Sequence, residues 1–360
     1  MVDNKKILIW LSLFNFLTLK KQKLLLTLFD NPAGLWENFS TDNEKIKKII
    51  SAEDINKMMF LKDEKYLNTY IDNLKQQEIE VVTLLCKDYP KLLKETDYPP
   101  LVLYCKGDIS LLNTKCIAVV GTRRPTRYGK ESTYQFAASL AKSGLTIVSG
   151  LADGVDAQAH RAALDCNGKT IAVLGCGVNE VYPISNAGLY KEIIKNGLLI
   201  SEYKPNEKPQ SYYFPTRNRI IAGLSNGVLI TEAKEKSGSM HTKNYALDYN
   251  RNIFVIPARI NDFNSKGCNL IIKNLQASMV LEPKDILETY GLETASQQYQ
   301  KPVQLDLNDE IVLLNIGNDE THYEEILNKT GLESKKLNTI LVRLELKGLL
   351  KKLSGNFYCK

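Results

Sequence analysis

The sequence predicts an α/β fold: a parallel sheet covered by helices on both faces, preceded by a small helical domain and followed by a winged helix-turn-helix. Three observations predict it. Between Cys116 and Tyr290, short apolar runs alternate with segments of helical spacing, as in strands buried on both faces and joined by crossover helices. Residues 1–75 repeat apolar positions at helical intervals. Residues 303–360 carry three helical patterns and then a glycine-punctuated hairpin. The 360 residues, 44% of them hydrophobic, suffice for two or three domains with their own cores. A net charge of +6 permits an anionic partner without requiring one, so the distribution of charge must carry the argument.

In the helical domain, residues 1–75, the pattern runs Ile7, Leu8, Leu11, Phe14, then Leu24, Leu25, Leu28, Phe29, and breaks at Asn31, Pro32 and Gly34. The apolar run Ile7–Leu19 follows two lysines, as a signal peptide would. Asn15 interrupts it, no Ala-x-Ala site follows, and it is too short to span a bilayer, so a buried helix is expected. Seven scattered cysteines without a CxxC pair suit a reduced, cytoplasmic location rather than disulfides or zinc. Lys20, Lys21 and Lys23 form a basic cluster, expected to stay solvated while the helices pack on the next domain; docking on DNA is the other use of such a cluster.

The central domain, residues 76–290, opens with a strand at Ile79–Leu84 and proline-rich extended segments around Tyr89-Pro90 and Tyr98-Pro99-Pro100. Further strands are expected at Ile117–Val120, Leu145–Ser149, Thr170–Leu174, Leu198–Ser201, Gly227–Thr231, Asn252–Ile256 and near Ser278–Leu281, with helices between them such as Leu189–Lys195 and Thr242–Tyr249. A patternless linker, 291–302, leads to the winged helix, 303–360. There helices are expected at Asn308–Ile316, Thr321–Thr330 and Ser334–Lys347, with Ser334 as N-cap and Gly331 as a stop, then a hairpin around Gly355-Asn356. Lys335 and Lys336 open the third helix where a reading helix begins, but acids match bases in this unit, leaving DNA and protein contact both open.

The loops after the strands carry the chemistry. Ile117–Val120 stops at Gly121, and four cations follow closely: Arg123, Arg124, Arg127 and Lys130. A strand, a basic turn and a helix start together make a phosphate site, or else a solvated basic loop. Neither the Gly-x-Gly-x-x-Gly fingerprint nor the Walker spacing is present. The later strand ends bring Gly150 through His160, Gly175-Cys176-Gly177, Glu202, the segment Phe214-Pro215-Thr216-Arg217-Asn218-Arg219, Glu232, and Ser237-Gly238-Ser239 at a helix start. The last is a second anion cradle. Tyr212, Tyr213 and Phe214 stand beside Arg217, the pairing of rings and cations that single strands need, or else filling of the sheet-to-loop core. Glu202 and Glu232 either form an acid/base pair or orient arginines, and His160 among alanines is expected to be structural. No nucleophile elbow, HExxH or metal-spaced cluster occurs.

From about Tyr89 to Asp285 these residues resemble the DprA/Smf family of DNA-processing proteins. The resemblance rests on FPTRNRIIAGLS with Glu232-Ala233 and Ser237-Gly238-Ser239, on Gly121-Thr122-Arg123 for that family's Gly-Ser-Arg, and on Gly150-Leu151-Ala152 through Ala159-His160. It implies a Rossmann-like sheet domain that dimerises, binds single-stranded DNA, protects it and loads a RecA-type recombinase during natural transformation, with no catalysis, cofactor or metal. The implied DNA-binding residues are Gly121, Thr122, Arg123, Lys169, Phe214, Arg217, Asn218, Arg219, Ser237, Gly238 and Ser239. Asp153 departs from the family by replacing an arginine, which sets an acid near the phosphate path; Pro257-Ala258-Arg259, Leu275-Gln276 and Met240-His241 are further departures. The alternatives are a nucleotide-processing enzyme akin to nucleoside-monophosphate phosphoribohydrolases, with Glu232 as the comparable acid, and a nucleotide-sensing module acting through the winged helix.

Overall fold

The computed structural model describes residues 2–293, 305–317 and 320–359. They divide into two compact units, Met1–Ala295 and Ser296–Lys360.

The first unit begins with six helices, α1 (Asn4–Ser12), α2 (Leu19–Leu28), α3 (Pro32–Asn38), α4 (Glu44–Lys47), α5 (Ala52–Phe60) and α6 (Glu64–Gln76). Side chains of Asp3, Thr18, Asn31, Asn43, Ser51 and Asp63 cap them, each accepting from a backbone N–H of the first turn. Their centre is Trp10, fully buried, with Trp36 and Phe39 edge-on at 5.2 and 4.9 Å. These helices share one continuous apolar core with the sheet, and Ser12 Oγ lies 2.9 Å from the hydroxyl of Tyr104 on a strand. The apolar run expected as a buried helix over Ile7–Leu19 is helical only to Ser12; its remaining apolar residues Leu13, Phe14 and Leu17 are buried in the turns that lead to α2.

The sheet has nine strands: β1 (Glu80–Thr83), β2 (Val102–Gly107), β3 (Cys116–Val120), β4 (Thr146–Ser149), β5 (Thr170–Val173), β6 (Leu198–Ser201), β7 (Gly227–Ile230), β8 (Asn252–Val255) and β9 (Ser278–Met279). Their order is β1-β2-β6-β5-β4-β3-β7-β8-β9. From β6 to β9 all neighbours are parallel; β2 runs antiparallel to β6 and to β1. The purely parallel sheet expected from sequence therefore gains an antiparallel edge. The proline-rich segment before β2 signals extended chain but not its direction.

Between strands lie α7 (Lys91–Lys94), α8 (Arg127–Lys142), α9 (Val155–Asp165), α10 (Ala187–Asn196), α11 (Tyr213–Leu224), α12 (Ser239–Asp248), α13 (Lys266–Lys273) and α14 (Pro283–Thr289). They cover both faces. Along β3, Ile117 and Val119 pack with Phe136 and Leu140 of α8, while Ala118 and Val120 pack with Ile220 and Ile221 of α11. The chain leaves β3 toward β4 but leaves β7 toward β8, so the carboxyl ends of β3 and β7 flank the point where the winding reverses. A crevice opens at such a point.

In the second unit, α15 (Leu307–Leu314), β10 (Thr321–His322), α16 (Tyr323–Thr330), α17 (Ser334–Leu346), β11 (Lys351–Leu353) and β12 (Phe357–Cys359) build a winged helix with sheet order β10-β12-β11. Val312, Ile326, Leu337, Ile340, Leu341 and Leu344 form its core. Gly331 ends α16 in the left-handed region (φ 62°), as expected. Glu333, rather than Ser334, occupies the N-cap of α17, and Ser334 is its first helical residue. Most of the linker expected at 291–302 lies outside the described residues.

Candidate nucleic-acid interface

The basic turn is shaped from beneath by a buried acid. Glu232, at the end of β7, is fully buried, and its carboxylate accepts from the Thr126 backbone N–H (3.1 Å) and hydroxyl (2.5 Å). Thr126 is the N-cap of α8, and its Oγ1 accepts in turn from the Gly129 N–H at 3.1 Å. Gly129 has to lack a side chain, because a Cβ there would collide with the Glu232 carboxylate. The Thr122 N–H donates to the Glu232 carbonyl at 2.8 Å, so both chain ends of the turn are pinned to β7. Glu232 therefore orients no arginine; it organises backbone. What the turn leaves outside is its cations: Arg123, Arg124 and Lys130 are exposed, while Arg127 pairs with Glu131 at 2.8 Å.

Above the crevice is a cavity of about 490 Å³. Gly121, Arg123, Phe214, Arg217, Asn218, Ser237, Gly238 and Ser239 line it, eight of the eleven residues singled out from sequence. The segment FPTRNR, expected as loop, is the start of α11. Its first turn carries Phe214, partly buried, whose ring packs so closely on Gly175 that a Cβ there would fall 2.8 Å from Phe214 Cδ1. The Arg123 guanidinium stands over this ring at 5.7 Å, and Tyr182 lies against it at 5.3 Å. Across the cavity Ser237 and Ser239 open α12, with their hydroxyls 2.9 Å apart and Asn218 Nδ2 reaching the Gly238 carbonyl at 3.3 Å.

Arg217 lies at the floor, 4% exposed. Its Nη1 donates to the carbonyls of Gly150 (2.8 Å) and Val173. Gly150 admits it, since a Cβ at that position would sit 2.5 Å from Nη2. Burial pulls the guanidinium pKa down, and neighbouring Asp156 opposes this; burial raises the Asp156 carboxyl, and Arg217 opposes that in turn. His160, fully buried behind them, is bonded through Nδ1 to Thr170 Oγ1 at 2.6 Å. Burial first, and the charge of Arg217 second, push its pKa down to about 3. It is a structural neutral histidine, as its alanine-rich setting suggests.

A family model described as DNA recombination-mediator protein A matches residues 80–291, and one described as DprA winged helix domain matches residues 296–356. The chain belongs to the DprA/Smf family. Among curated proteins it is 39% identical to protein Smf of Synechocystis over 72% of this chain and 64% of that one, and 38% identical to protein Smf of Escherichia coli over 74% of each. The chain thus spans a little under two thirds of the Synechocystis relative's length. The X-ray structure of DprA from Streptococcus pneumoniae superposes with a TM-score of 0.70 at 34% identity, covering 80% of this chain and 98% of that one. The solved structure of DNA processing protein A from Helicobacter pylori, described for its single-stranded DNA binding mode, superposes at 0.54 and 38% identity, covering 59% and 95%.

Three residues singled out from sequence stand outside the cavity lining of this DprA/Smf chain. Thr122 is buried in the turn beside Arg123. Arg219 is buried on α11 and donates through Nη2 to Glu202, so of the two strand-end acids only Glu202 orients an arginine. Lys169 is exposed at the amino end of β5, the opposite end of the sheet from the cavity. Tyr212 and Tyr213 face the other flank of α11. Asp153 is exposed, accepts from Ser185 Oγ at 2.7 Å, and is not part of the cavity lining, although its neighbour Ala152 is. Tyr182 and His241 line the cavity without having been singled out for the site. The signal for Tyr182 was an aromatic in a strand-end loop; for His241 it was its place just after the Ser-Gly-Ser cradle.

Proposed function

We propose that this chain is a non-enzymatic recombination mediator that holds single-stranded DNA in the β3–β7 crevice, protects it and hands it to a RecA-type recombinase. The observation that carries the reading is one cavity combining an exposed arginine over an aromatic ring with the Ser237-Gly238-Ser239 turn that opens α12. Phosphates pair with Arg123 and the Ser237-Gly238-Ser239 turn at the start of α12, and bases stack on Phe214 and Tyr182. The H. pylori relative described for single-stranded DNA binding is 38% identical and covers 59% of this chain. The test is a salt titration of binding to an oligodeoxynucleotide. Arg123→Ala should weaken binding at least tenfold and flatten the log K–log salt slope by about 0.7 for each phosphate that the variant no longer neutralises. Unchanged affinity would defeat the reading.

A homodimer through the Rossmann-like domain belongs to the same proposal. The open edge at β9 exposes Leu275, Met279 and Leu281 (92, 52 and 71% exposed), an apolar strand edge of the kind that pairs with another chain. Leu281→Arg should convert the protein to monomer by light scattering, and a dimer that persists would place the contact elsewhere. Recombinase loading is tested by whether the protein speeds filament assembly on strands coated with single-strand-binding protein. The competing phosphoribohydrolase reading needs a free acid at Glu232, whose carboxylate is occupied by Thr126. Base release from nucleoside monophosphates, lost in Glu232→Gln, would revive it.

A further inference from the structure

On the other flank of α11 lies a second cavity, of about 440 Å³, walled by α2 of the N-terminal helices. Neighbouring residues of one segment divide between the two cavities: Phe214, Arg217 and Asn218 line the first, Tyr212, Tyr213 and Thr216 the second. The two openings are therefore separated by about 10 Å, the thickness of one helix with side chains. The second cavity is unusually aromatic. Tyr213 stacks on Tyr203 with ring centroids 3.9 Å apart, Tyr212 meets Tyr213 edge-on at 4.6 Å, and Tyr98 completes the wall. Tyr212 is 63% exposed, so an aromatic ridge rises between the cavities. Lys20 lies at the rim, and the Lys23 ammonium stands over the Tyr98 ring at 5.2 Å.

Glu202 contributes to the same lining. One of its oxygens accepts from Arg219; the other, Oε1, is buried with no hydrogen-bond partner among the described residues. A carboxylate repels phosphate and accepts from N–H groups, which the edges of nucleobases supply. Tyrosine faces, an N–H acceptor and a lysine rim suit a base whose own phosphate stays outside. A cavity of this size with mostly apolar walls and a few polar groups is in the range that binds small planar ligands.

We propose that this cavity takes an unstacked base of the same single strand whose backbone runs through the β3–β7 crevice, so that the N-terminal helices form part of the nucleic-acid site. The proposal rests on the single-stranded-DNA reading of the first cavity. Continuity across α11 and the basic rim favour this occupant over a peptide of a partner protein.

The experiment is photo-cross-linking of the full chain to oligodeoxynucleotides carrying one 5-iododeoxyuridine at successive positions, with the modified peptides mapped by mass spectrometry. Cross-links should appear at Tyr98, Tyr203 or Tyr212 for one register and at Tyr182 or Phe214 for another. A second measurement compares Tyr98→Ala with the parent on strands of increasing length. Strands that fill only the crevice should bind within twofold, and longer ones about tenfold more weakly, as when one base–aromatic stack is removed. Cross-links confined to Tyr182 and Phe214, or equal affinity of Tyr98→Ala for long strands, would overturn this inference while leaving the crevice reading intact. Failure of the parent protein to bind single strands at all would overturn both.

Discussion

Arg217 and Arg219 stand two residues apart in α11, both nearly inaccessible, and their surroundings give them different work. Arg217 donates to strand-end carbonyls at the floor of the crevice. Arg219 points to Glu202, whose carboxyl is raised by burial and held down by that arginine. Removing one partner of a buried pair leaves the other charge uncompensated, which costs about 3–5 kcal/mol. Arg219→Ala should therefore lower stability by that order in denaturant melts, while the folded fraction keeps its affinity for single strands; a large loss of affinity at unchanged stability would return Arg219 to the DNA path. His160 makes a pH argument. Its folded pKa near 3 lies below its ordinary 6.5, so below pH 6.5 the unfolded chain binds a proton that the folded one refuses. Stability contributed by the neutral histidine is complete above pH 6.5 and falls as pH drops toward 3. Between pH 7 and 5 this amounts to about 2 kcal/mol. His160→Gln should lose less stability than the parent over that interval, whatever its starting value, as measured by melts at the two pH values.

At the scale of elements, the strands were legible because a parallel strand buried on both faces is a short apolar run, and six such runs lie where β3 to β8 are found; the seventh run marks β9, whose two residues are exposed at the sheet edge. The basic turn was legible too, since cations clustered after a strand have few other readings. The start of α11 was not. Pro215 and two arginines read as part of a loop after a strand, yet proline is tolerated in a first helical turn, and both arginines are buried by tertiary partners that no local pattern reveals. The edge strand β2 was legible as extended but not as antiparallel, because direction is set by the neighbour it meets. The role of Glu232 was hidden for the same reason: its partner Thr126 lies 106 residues away in sequence. That hydrogen bond gives a prediction about α8. Gly129→Ala forces the Glu232 carboxylate away from the α8 N-terminus and should cost on the order of 1–3 kcal/mol by overpacking. It should also weaken DNA binding by displacing Arg123, whereas Gly188→Ala, where a side chain meets nothing within 4 Å, should do neither. Equal melting of the two variants would show that the turn does not depend on this acid.

For the whole molecule, the question is whether the winged helix shares in the binding. The unit has its own core and its own three-stranded sheet, and the first unit holds every residue of both cavities. Lys335 and Lys336 are exposed in the first turn of α17, but Glu333 precedes them and Arg343 farther along is paired to Asp306 at 2.7 Å. Of the basic residues on that helix, this leaves the two lysines as the phosphate contacts it can offer, against a cradle-lined crevice in the first unit. Two exposed phosphate contacts steepen the salt dependence by about 1.4 on single strands and add little affinity at physiological salt. Deleting residues 303–360, which also removes the exposed Lys351 and Lys352 of β11, should leave the first unit folded, with single-strand affinity within a few-fold of the parent and a salt slope shallower by about 0.7 for each of these four lysines that meets a phosphate. Parallel gel shifts on single- and double-stranded DNA decide it: a loss above tenfold on single strands assigns the winged helix to the strand path, and a loss confined to duplex assigns it to groove reading. If neither changes, the winged helix is left to contact protein, which is the outcome its balanced charge favours.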